Sequence, residues 1–148
     1  MSWSGGAALL AFAAGVGGAT QIAVQSRLGD RVGTIEAVAT AAVVGSVIAL
    51  ATLLVVRGSL GGIGDAVGGP KWQLLGGVMS VFIVLTITVS GPRIGVVATT
   101  AFLIAAQLSF ATLIDRYGWF GVETVPVSAT RLVGIVLLVT GAALTLQR

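Results

Sequence analysis

Cysteine and histidine are both absent from this 148-residue chain. Without cysteine there is no disulfide framework, no thiolate metal site and no cysteine nucleophile. Without histidine the commonest general base and the commonest metal ligand are missing. Metalloenzyme and Ser-His-Asp chemistries lose their key residues, and no acid–base pair can be assembled. We therefore expect no enzyme and no cofactor. Charge is scarce as well, at 9% of residues, against about 25% in a typical soluble domain. The eight Lys and Arg residues raise the pI to 10.7. They stand singly rather than in a patch, so a nucleic-acid partner is not expected.

What the chain has in abundance is apolar sequence: 56% of residues are hydrophobic and the mean hydropathy is +1.07. A soluble fold of this length would expose much of that surface to water; a bilayer removes the difficulty by acting as the solvent. About 20 apolar residues carry a helix across the hydrocarbon. Five runs approach that length: 3–25, 34–56, 72–90, 94–114 and 127–147. The first lacks a preceding basic segment and is too long for a signal-peptide core, so it reads as a retained helix. The expectation is an all-α integral membrane protein, one transmembrane domain over 1–148 with five transmembrane helices. No soluble domain and no internal repeat is read from the chain.

The connections are short. Ser90-Gly91-Pro92-Arg93 reads as a tight reversal between the third and fourth helices. Gly58 to Lys71 reads as a glycine-rich surface loop; it follows no strand and lacks the Gly-Lys-Ser/Thr ending of a phosphate cradle. Residues 117–126 carry Trp119 and Phe120 and read as an interfacial anchor. Asp115 beside Arg116 reads as a boundary pair, and Arg131 as a residue that snorkels to the headgroups.

Five spans put Arg57, Lys71, Arg116 and Arg131 on one side and Arg27, Arg31, Arg93 and Arg148 on the other. Orientation follows an excess of Lys and Arg in short cytoplasmic loops, and four against four is no excess. The simplest inference is insertion in both senses, with two copies pairing as an antiparallel homodimer of ten helices. The plainer reading is one orientation set by other factors.

Polar residues inside the runs must face other helices or a wet cavity. Gln21 and Gln25 share a face of the first helix, Thr86 and Ser90 a face of the third, and Thr100 and Gln107 a face of the fourth. In an inverted pair, Gln107 of one copy would share a depth with Gln21 of the other. These groups serve either as a substrate site or as polar glue between helices; the lone hydroxyls can bond back to their own helix. Glu36 begins the second helix, where a carboxylate suits the dipole; it is also the candidate ion or proton site. No carboxylate lies at mid-membrane, so proton coupling is not supported. Gly134 and Gly141 share a face of the last helix and are candidates for dimer packing, with packing inside one copy as the alternative.

The stretches Gln21-Ile22-Ala23-Val24-Gln25-Ser26-Arg27-Leu28-Gly29, Gly91-Pro92-Arg93-Ile94-Gly95, Gln107-Leu108-Ser109, 115–121 and Arg131-Leu132-Val133-Gly134 occur in an order that resembles the YdcZ-like family of small bacterial membrane proteins in the drug/metabolite transporter superfamily. The resemblance covers nearly the whole chain. Gln25 stands where that family usually has Asn, and Arg116 where His is common; the second change puts a fixed charge in place of a titratable group. The resemblance implies five helices, dual-topology or paired subunits, a bacterial inner-membrane location and a transport role. The chain is also similar to the small multidrug resistance proteins in size and symmetry, without the glutamate those carry in mid-helix one. The leading expectation is a small-molecule transporter or exporter: an inverted homodimer in the bilayer, with an unidentified small-molecule substrate held between subunits near Gln21, Gln25, Thr86 and Gln107. The alternative is a non-transporting lipid-binding or structural membrane protein.

Overall fold

A computed structural model of the chain describes residues 3–146. The described residues form helices α1 (Trp3–Val32), α2 (Thr34–Arg57), α3 (Gly61–Gly68), α4 (Leu75–Tyr117) and α5 (Ala129–Leu144), with 3₁₀ turns at Lys71–Leu74 and Trp119–Gly121. No strand occurs among them. Helix suits long apolar runs in lipid, because it bonds each interior backbone N–H and C=O within its own segment. The hydroxyls follow the same rule. Thr20, Thr52, Thr88, Thr112 and Thr140 each donate to the carbonyl four residues earlier, at 2.7–3.0 Å.

Three stretches are long and apolar enough to cross a membrane by length and composition: Gly5–Val32, Thr34–Arg57 and Lys71–Tyr117. The last is far longer than one crossing needs. Its helical geometry breaks at Gly95 (φ 85°, ψ 163°), a conformation essentially confined to glycine. Pro92 lies inside the helix, so the break falls at Gly95 rather than within Ser90–Arg93. The other limits also move. α1 continues seven residues past Gln25, since a helix stays hydrogen-bonded beyond the hydrocarbon, and ends only at Gly33. α5 begins after Ser128, whose hydroxyl accepts from the Arg131 N–H at 3.2 Å; Gln147, the expected end of this run, lies outside the described residues. The expected glycine-rich loop holds α3, whose Ile63, Ala66 and Val67 recur at helical spacing. Beyond its C-terminus the Lys71 ammonium donates to the Val67 carbonyl at 2.8 Å, where a cation suits the dipole.

The chain divides into two compact units, residues 1–22 with 94–148 and residues 23–93. In the 23–93 unit the buried side chains are Gln25, Ser26, Ala37, Val38, Ile87 and Thr88; in the other unit Ile22, Ala98, Thr99, Ala105, Thr112 and Ala142 are buried. Most of these residues are small, while large apolar side chains point out: Leu10, Phe12 and Val55 are 75%, 76% and 86% exposed. Such an inside-out arrangement suits lipid, where close helix approach through small residues replaces a hydrophobic core.

The backbone also exposes a repeat that the sequence reading missed. Gly29-Asp30-Arg31-Val32-Gly33 and Gly91-Pro92-Arg93-Ile94-Gly95 share one pattern, glycine, any residue, arginine, aliphatic, glycine. Both final glycines adopt the same unusual geometry, Gly33 at φ 101°, ψ 153° and Gly95 at φ 85°, ψ 163°. Part of the burial pattern repeats in step. Gln25, Ser26 and Ala37 correspond to Ile87, Thr88 and Thr99, and all are buried. One helix–glycine–helix device is therefore used twice.

Candidate functional site

The first copy of that device carries the polar groups. Gln25, Asp30 and Glu36 stand where the second copy has Ile87, Pro92 and Ala98. The second copy of the device thus carries an aliphatic residue at the position equivalent to Gln25.

Gln25 is only 5% exposed, and its side-chain Nε2 is buried without a hydrogen-bond partner. An unsatisfied buried amide costs about 1–3 kcal/mol. One turn further along the same face of α1, Gly29 meets α4: a Cβ there would stand 2.6 Å from Thr88 Cγ2. The helices thus close tightly at Gly29, with the free amide roughly 6 Å deeper.

The other expected site residues are arranged differently. Gln21 and Gln107 are both exposed, and neither makes a side-chain hydrogen bond among the described residues. Thr86 is half-buried and donates to the Phe82 carbonyl at 2.9 Å. Glu36 is exposed, and its carboxylate folds back over Gly33, where any Cβ would run into it. That position at the start of α2 satisfies the dipole. No group of three acidic or other metal-ligating side chains occurs among the described residues. Gly134 and Gly141 are exposed, with open space among the described residues where a Cβ would be built.

Asp115 forms a different pair from the one expected. Its carboxylate takes the Arg131 guanidinium at 3.0 Å, and its carbonyl accepts from the Val125 N–H at 2.9 Å. Adjacent residues on a helix point about 100° apart, so Arg116 faces away. Arg131, one turn into α5, is brought within reach when the chain doubles back. Trp119 stacks on Tyr117 at 5.5 Å and tilts against Phe110 at 6.0 Å, which gives the connector the aromatic cluster typical of a membrane interface.

A cavity of about 190 Å³ opens at the end of α1, lined by Gly29, Asp30, Thr34, Thr88, Val89, Pro92 and Arg93. Asp30 and Arg93 were not singled out from the sequence as site residues. The only signal was the repeat, which sets Asp30 opposite a proline and leaves Arg93 in the shared arginine position.

Long apolar helices, an inside-out core and interfacial aromatics define a multi-pass membrane protein, and its polar groups can bind by hydrogen bond and charge. Residues 6–144 match the family described as "Putative inner membrane exporter, YdcZ", and the chain belongs to that family. Its place is the inner membrane. No curated protein and no solved structure matches the chain.

Proposed function

We propose that two copies of this chain, inserted in opposite senses, form a ten-helix exporter of small molecules working by alternating access. The observation that carries this reading is the exposure of Gln107 and Gln21 within apolar helices, without partners among the described residues. An amide left in hydrocarbon is costly, and a second subunit or a wet cavity removes that cost. Three features support the pairing. Residues 75–94 and 96–117 are each about 20 residues, roughly 30 Å of helix, so α4 supplies two crossings. With α1, α2 and α5 this makes five spans, over which the eight Lys and Arg residues divide four and four. Gly134 and Gly141 leave an open face on α5 for close approach of a partner helix. An inverted pair has equivalent inward- and outward-facing states, which is what alternating access needs.

The test is a pair of C-terminal fusions, one active only in the cytoplasm and one only outside it. Signal from both is expected; signal from one side alone would rule out the inverted homodimer. Flux from proteoliposomes over a panel of metabolites and lipids then separates an exporter from a non-transporting lipid-binding protein.

A further inference from the structure

We infer that the cavity at the end of α1 is a binding site for a small zwitterion, a molecule with an ammonium and an anionic group on a short spacer. Two opposite charges, Asp30 and Arg93, line one cavity. They do not neutralise each other: the ion pair among the described residues is Asp115 with Arg131. Among the described residues Arg93 makes a long 3.4 Å contact back to the Val89 carbonyl and no ion pair. A carboxylate and a guanidinium held apart in one depression complement a ligand carrying both charges, and an ion of either sign alone leaves one of them unmatched.

The hydroxyls complete the lining. Thr88 Oγ1 donates to Val84 at 2.7 Å, so toward the cavity it can only accept, which suits an ammonium. Thr34 makes no side-chain hydrogen bond among the described residues and is free to donate to an anion. The volume of about 190 Å³ holds several waters or one small solute. It is well below the roughly 300 Å³ at which drug-sized sites begin. Within the same 23–93 unit, the unbonded Gln25 amide lies one turn deeper on the face that carries Gly29. The second copy of the repeat has proline and alanine in place of Asp30 and Glu36, so neither acid is needed to make the turn. The assignment deepens the export reading by naming its substrate class, and rests on that reading only for the step from ligand to substrate.

The test is equilibrium binding to the purified full chain, with phosphoethanolamine as the zwitterion and ethanolamine and inorganic phosphate as its halves. Phosphoethanolamine is expected to bind at least ten-fold tighter than either half. Asp30→Asn should abolish its advantage over phosphate. Arg93→Lys, which keeps the positive charge but loses the fork, should weaken it several-fold. Arg31→Lys, outside the cavity, should change nothing. Nanodiscs of phosphatidylethanolamine and of phosphatidylglycerol distinguish the source. Competition by the first alone assigns the site to a lipid headgroup; equal binding in both assigns it to a free solute. Binding of either half as tight as the whole, an unaltered Asp30→Asn protein, or no binding at all would overturn the inference. Binding without flux would instead count against export and leave the site standing.

Discussion

Gly29 and Thr88 meet so closely that no side chain fits between them: a Cβ on Gly29 would stand 2.6 Å from Thr88 Cγ2. Thr88 cannot swing aside freely, because its hydroxyl is bonded to the Val84 carbonyl. Gly29→Ala should therefore destabilise the protein by about 1–3 kcal/mol, the usual effect of overpacking. Thermal unfolding in detergent measures it. Adding Thr88→Ser, which removes the clashing methyl and keeps the hydroxyl, should recover most of the loss; additive effects would mean that the contact is not the cause.

The two turn glycines make a matched pair. Gly33→Ala and Gly95→Ala each force a side chain into positive-φ backbone, at about 1–3 kcal/mol. The Glu36 carboxylate over Gly33 is the end of an exposed side chain that can swing aside, so the two losses should be similar. Gly17→Ala and Gly76→Ala, helical positions with open space around them, should be neutral or stabilise slightly through helix propensity. A melting series over the four variants checks the order.

Gln25→Ile copies the residue that the second repeat uses at the equivalent position. It removes a buried amide nitrogen without a partner and should raise stability by about 1 kcal/mol or more. Any ligand binding or flux that depends on the amide should fall. A less stable variant would show that Nε2 has a partner, such as a bound water, in the folded protein.

The Asp115–Arg131 pair is about one-third exposed on each side. A double-mutant cycle with Asp115→Asn and Arg131→Gln should give a coupling of only about 0.2–1 kcal/mol, the range for surface pairs. Its main effect should be on the 118–128 connector, seen as faster proteolysis there.

The balance of four charges on each side of the proposed five spans should be easy to tip. Ser59→Lys with Gly62→Lys adds two cations to one side and should fix a single orientation. Export should then fall sharply and return on co-expression with a copy biased the opposite way. Full activity of the fixed form alone would rule out the inverted pair.

Much of this protein was legible in the chain itself. Lipid leaves a backbone few options, so apolar run length alone marks helices through 3–25 and 34–56, and the absent histidine and cysteine exclude whole classes of chemistry. The order of short motifs identifies the family. Local signals failed where a helix continues past its apolar run, as α1 does beyond Gln25. They also failed at Pro92, which looks like a stop although the backbone turns at Gly95. Tertiary structure alone decided which glutamine is enclosed: Gln21 and Gln25 share a face of one helix, yet one is exposed and the other buried with a free amide nitrogen. Helical periodicity assigns a residue to a face but not to the neighbour that covers it. For the same reason Asp115 pairs with Arg131 from another helix rather than with adjacent Arg116, and Asp30 and Arg93, far apart in the chain, come to line one cavity.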